Sequence, residues 1–162
     1  MQKKIRFWAA AMVFSVVLLL FSSCHQSGRA TEDLLNEFLL LYGASEGSIY
    51  TSKAKEYEKG ALPDGMADLL FLEENGENAL ALCTEYAIYL SPSFSGGEVG
   101  FFRCKSEADA LRVRKMLNAR INRLQQSAWQ TSTAILFTYG LDTVLVCLPD
   151  AELARQICAR LY

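Results

Sequence analysis

The 162-residue sequence contains one histidine, His25. It stands in "HQSGRA" (25–30), where no neighbour in sequence could orient an imidazole as a base. Serine and cysteine hydrolase schemes commonly rest on a fixed histidine, as do histidine-based metal sites, so neither is expected. Carboxylates are more plentiful: Glu73, Glu74, Glu77, Glu85, Glu98, Asp142 and Asp150 fall mostly at loops and element ends. Two of them held ~5–10 Å apart could hydrolyse a glycosidic bond. No spacing brings a named pair together, and caps and solubility explain them better. Cys83, Cys104, Cys147 and Cys158 are widely spaced with no C-x-x-C, which argues against a thioredoxin-like or zinc site. They lie in apolar patterns and read as small buried hydrophobes rather than disulfides. "SFSGGEVG" (93–100) joins two strands instead of opening a helix, so Gly96 and Gly97 are turn residues rather than a phosphate cradle. No catalytic residue, metal ligand or cofactor is expected.

The fifth cysteine, Cys24, has a different context. Lys3, Lys4 and Arg6 precede a run from Phe7 to Phe21 whose only polar member is Ser15; Ser22, Ser23 and Cys24 follow. Basic head, apolar body and small residues form the layout of a secretory signal. The run has 15 residues, and a permanent helical span takes ~20. Small residues before a terminal cysteine resemble the lipobox of bacterial lipoproteins, with Phe21 standing where leucine is usual. That resemblance implies removal of residues 1–23, a diacylglyceryl thioether on Cys24 and fatty acyl chains such as palmitate. Ordinary cleavage and an uncleaved anchor are the alternatives.

Loss of the leader would remove three of the 16 basic residues and none of the 18 acidic ones, leaving 13 against 18, a charge of −5. A mildly acidic exported domain is not a nucleic-acid binder by default. Its 139 residues suit a single domain, 31–162, behind a tether at 24–30. Arg112, Lys115, Arg120 and Arg123 share one helical face and are the candidates for contact with anionic lipid or an anionic wall polymer; a solvated face is the plainer reading. Tyr50 and Tyr57, among the charges of 47–59, could mark a binding edge.

The elements that must hold these groups follow from periodicity. Thr31 reads as the N-cap of a helix with Leu34, Leu35, Phe38 and Leu39 on one face and Gly43 at its end. Ile49–Thr51 is a short extended piece in an otherwise irregular loop, and "PDGMADLLFLEE" (63–74) reads as a short helix ending near Asn75 and Gly76. Alternation from Leu80 to Leu90 gives a strand, and "EVGFFRCK" (98–105) its hairpin partner. Ser106 opens a long helix with Ala110, Val113, Leu117, Ile121 and Leu124 in one stripe. "TAILFTYGLDTVLVCLP" (133–149) is a second hairpin turning at Gly140–Asp142, and Asp150 caps a final helix. The order ββαββα predicts an α+β domain: a mostly antiparallel four-stranded sheet with helices on one face.

The segments "GSIYTSKAKEY" (47–57), "EYAIYLSPSFSGGEVGFFRCKSEADALRVRKML" (85–117) and "YGLDTVLVCLPD" (139–150) give the chain a resemblance to an uncharacterised lipoprotein family of clostridial-type Gram-positive bacteria, a domain of unknown function. The resemblance runs from Gly47 onward and implies a location outside the cell membrane, on a lipid tether. It carries over no active residue. The expectation is thus a non-enzymatic binding or scaffolding lipoprotein at the cell envelope, in contact with the membrane and with an envelope protein or anionic polymer. A histidine-independent enzyme using carboxylates or a thiol, and an accessory subunit of a membrane complex, are the alternatives. Replacing Cys24 by Ser should abolish acyl labelling and shift the protein out of the membrane fraction; equal labelling of parent and variant would exclude Cys24 as the lipid site.

Overall fold

The computed structural model describes residues 28–44, 46–56, 58–71, 78–92, 97–125 and 133–162. The elements are α1 (Thr31–Tyr42), β1 (Ser48–Thr51), α2 (Met66–Phe71), a 3-10 turn (Ala79–Leu82), β2 (Cys83–Leu90), β3 (Glu98–Cys104), α3 (Glu107–Gln125), β4 (Thr133–Tyr139), β5 (Asp142–Leu148) and α4 (Ala151–Leu161). The class is α+β, as expected. The expected leader 1–23, Cys24, His25, the helix end at Asn75–Gly76, and Gly96 lie outside the described residues. No helix among the described residues is long and apolar enough to cross a membrane.

All strands pair antiparallel in the order β1-β2-β3-β5-β4. The sheet has five strands rather than four, because the extended piece around Ile49 pairs along β2 from Ser48–Leu90 to Thr51–Ala87. Helices cover both faces, which corrects the one-face expectation. On one face, Ala87, Tyr89, Val99, Phe101, Val144 and Val146 meet Leu34, Leu35 and Phe38 of α1 and Ala154, Ile157 and Cys158 of α4. On the other, Ile88, Phe102, Leu145 and Cys147 meet Val113, Met116 and Leu117 of α3 and Leu70 and Phe71 of α2. The cause is in β3 and β5. Their residues are apolar on both parities, so neither side can face water. Phe101 packs edge-on against Phe38 on one side, and Phe102 against Phe71 on the other. Gly100 makes room for this, since a Cβ there would lie 2.4 Å from the Phe102 ring.

Local signals set most of the ends. Gly43, at φ 81°, closes α1 with its N–H on the Leu39 carbonyl. Thr31 is not the N-cap: Ala30 takes that position without a side-chain cap, and Thr31 is buried in the first turn. Ser106 accepts the Asp109 N–H at 3.1 Å and starts α3, while Asp150 accepts that of Leu153 at 2.9 Å and starts α4. The expected strand from Leu80 begins only at Cys83, because the Asn78 side chain accepts the Leu80 N–H and winds 79–82 into a 3-10 turn. Gly140 and Leu141 form the two-residue turn between β4 and β5.

Phe101 is fully buried, whereas Leu40 on α1 is 80% exposed. Phe101→Ala should cost about 3–5 kcal/mol in urea unfolding, and Leu40→Ala less than about 0.5 kcal/mol. Comparable losses would contradict the two-faced core.

Candidate functional site

A cleft of about 460 Å3 opens at the β1 edge of the sheet, between α1 and the loop around Lys59 and Gly60. Its backbone is positioned by two glycines. Gly47, at φ 146°, packs so close to β2 that a Cβ would lie 2.3 Å from the Tyr89 ring and 2.6 Å from the Leu90 carbonyl oxygen. The Tyr89 hydroxyl donates to the Glu46 carbonyl beside it. Gly60, at φ 94°, lets the loop return against β1, where its carbonyl accepts the Thr51 N–H at 2.9 Å. Thr51 thus directs its N–H away from β2, and Ser52 directs its own toward the Tyr86 carbonyl at 3.0 Å. In an antiparallel ladder these directions alternate, so Ile49 turns its N–H and C=O outward, toward the cleft.

The polar residues that line the cleft are Glu32 and Asn36 from α1 and Lys59 from the loop, with Ser48, Tyr50 and Thr51 along β1. They offer an anion, an amide, a cation and hydroxyls within one cleft of small-ligand size. Glu32 is the single carboxylate in this lining. Tyr50 lies on the edge strand and packs partly against the α3-side core; Tyr57 lies outside the described residues. A second cleft of about 290 Å3 is rimmed by Glu56, Glu58 and Asp64. No group of three or more acidic, cysteine or histidine side chains among the described residues could hold a metal ion.

The carboxylates singled out from the sequence have other work. Asp142 and Glu85 flank Arg103 across neighbouring strands, on the face that carries α1 and α4. Arg103 donates from Nε and Nη2 to the two oxygens of Asp142, at 2.8 and 3.0 Å, and from Nη1 to Glu85 at 3.3 Å. Lys53 reaches the other oxygen of Glu85 at 3.4 Å. Tyr162, stacked on Tyr139 at 4.2 Å, donates its hydroxyl to Asp142 at 3.2 Å. Burial, and then Asp142, push the Tyr162 phenol up from its ordinary value. This is a clamp across β2, β3, β5 and the end of α4. Arg103 escaped the sequence reading, although an arginine inside "FFRC" signals a charge that needs a partner.

Glu98 makes a second clamp at the opposite end of β3. Its Oε2 accepts from Nη2 and Nε of Arg120, at 3.0 and 3.3 Å, while its buried Oε1 has no hydrogen-bond partner. Arg123 donates to the Leu70 carbonyl at 2.9 Å, tying α3 to α2. The four cations expected to face anions together are therefore divided. Arg120 and Arg123 brace the fold, Arg112 sits 3.6 Å from Asp109, and Lys115 is exposed further along α3. Asp150 is a helix cap; Glu73, Glu74 and Glu77 lie outside the described residues. Cys83, Cys104, Cys147 and Cys158 are all free thiols. Burial pushes Cys147 and Cys158 up to about 12, so neither is a ready nucleophile at neutral pH.

Burial also raises the Glu98 pKa above its ordinary 4.5, against the pull of Arg120 and Arg123. The folded state then holds that proton more tightly than the unfolded chain does. The Glu98 contribution to stability falls as pH rises through 4.5 and levels off above the folded-state pKa. Glu98→Gln keeps the shape without the ionisation, so its stability relative to the parent should climb with pH over that window. Urea unfolding at a series of pH values measures this; a difference independent of pH would contradict the shift.

No protein-family model matches this chain, and no curated protein or solved structure matches it.

Proposed function

We propose that this chain is a lipoprotein held outside the cell membrane through lipid on Cys24, in the manner of the clostridial-type family it resembles, and that its domain binds a ligand rather than transforming one. The observation that carries the binding reading is the cleft beside β1. A strand edge there turns the Ile49 N–H and C=O toward a space lined by Glu32, Asn36 and Lys59. Paired peptide donor and acceptor groups suit a ligand with a secondary amide, which can accept and donate in the same plane. Such an amide occurs both in N-acetylated sugars and in short peptides, and both chemistries are at home in a cell envelope.

In the cleft beside β1, the carboxylates support binding over hydrolysis. Glycoside hydrolysis needs two carboxyl groups across one bond, whereas Glu32 stands alone in the cleft lining. Glu85, Glu98 and Asp142 are tied to Arg103 or Arg120 elsewhere.

Calorimetric titration of the full-length protein in detergent, with a chitin oligosaccharide in one arm and trialanine in the other, tests the cleft and separates the two amide sources. One of them should bind. The double variant Glu32→Ala/Asn36→Ala, altered on the outer side of α1, should weaken it about tenfold or more, as the loss of two hydrogen bonds implies. Binding of neither compound, or binding indifferent to the double variant, would overturn the assignment.

A further inference from the structure

Cys83 and Cys104 occupy directly opposed positions on β2 and β3. The Lys105 N–H bonds to the Leu82 carbonyl at 3.1 Å, and the Cys104 N–H turns the other way, to the Leu141 carbonyl at 2.9 Å. Cys83–Cys104 is therefore a non-hydrogen-bonded antiparallel pair. Such pairs hold their Cα atoms ~4.5 Å apart with side chains on the same face. That separation falls inside the ~4.4–6.8 Å a disulfide bridges. Both side chains belong to the α3-side core. The remaining cysteines offer no competing bridge: Cys147 faces the α3 side and Cys158 the α4 side, with the sheet between them. Cys104 sits at the Arg103 end of β3, remote from Cys147, which pairs with Glu98 at the other end.

We infer that Cys83 and Cys104 are a cross-strand thiol pair built to close into a disulfide. Cys83 is partly buried and Cys104 fully buried, so an incoming reagent meets Cys83 first. A small-molecule disulfide, RSSR, is the oxidant. The Cys83 sulfur displaces one RS⁻ from it, forming a mixed disulfide; the Cys104 sulfur then attacks Cys83 and expels the second RS⁻. Two thiol protons and two electrons leave the protein, and two RSH are formed. The bridge would pin β2 to β3 where their register is interrupted by the bulge between Cys83 and Glu85. This geometry stands independently of the cleft and of the lipid anchor.

Incubating the full-length folded protein with oxidised glutathione, alkylating it and mapping its peptides tests the inference. A peptide pair joined through Cys83 and Cys104 is expected, with Cys147 and Cys158 alkylated only after unfolding. The oxidised form should melt roughly 5–10 °C higher than the reduced one. Cys104→Ala, which removes only the resolving sulfur, should stop at one glutathione on Cys83. Recovery of Cys83 and Cys104 as separately alkylated peptides from the oxidised parent would overturn the inference.

Discussion

Strand β3 is buried along nearly its whole length, and so is its neighbour β5. With helices over both faces of the sheet, a charge in either strand has no water to turn to. It must find a partner inside, because stranding an ionised group there costs several kcal/mol. The two charged residues of β3 meet this demand at opposite ends and on opposite faces. Glu98 turns toward α3 and takes Arg120; Arg103 turns toward α4 and takes Asp142 and Glu85. The central strand is thereby held at each end by a charge-assisted pair, and each pair recruits a different layer of helices. Tyr162 brings the end of α4 onto one of them, and Arg123, one turn beyond Arg120, joins α3 to α2.

The same constraint explains where the fold leaves a cleft open. The centre of the sheet is filled by Phe101, Phe102 and their edge-on partners Phe38 and Phe71. The β1 side is different. β1 is four residues long, its outer backbone is only partly met by the Gly60 carbonyl, and the adjoining surface of α1 carries Glu32 and Asn36 rather than apolar groups. A short, partly capped edge resists unwanted strand pairing while keeping one peptide unit accessible. Gly47 and Gly60 make that arrangement sterically feasible, one by close approach to Tyr89 and the other by a left-handed turn.

Much of the local structure was legible in the chain. Gly43, Ser106 and Asp150 end or start helices as their chemistry implies, and the two-residue turn after Tyr139 lies where glycine marks it. The reading failed where two local signals competed. Alternation at Leu80 and Leu82 suggested a strand, and one side-chain hydrogen bond from Asn78 outweighed it. It failed again for the arginines of α3. A helical wheel places Arg112, Lys115, Arg120 and Arg123 together, yet Arg120 bends to a carboxylate on β3 that no wheel contains.

By itself, the sequence determined most of the secondary elements and the α+β class, because caps, turns and periodicity act over a few residues. Tertiary structure alone decided that helices lie on both faces, that Arg103 joins Glu85 to Asp142, and that Glu32 and Asn36 meet β1 across a cleft. These outcomes depend on strands and helices far apart in the chain becoming neighbours. Burial and charge pairing become defined only once that register exists.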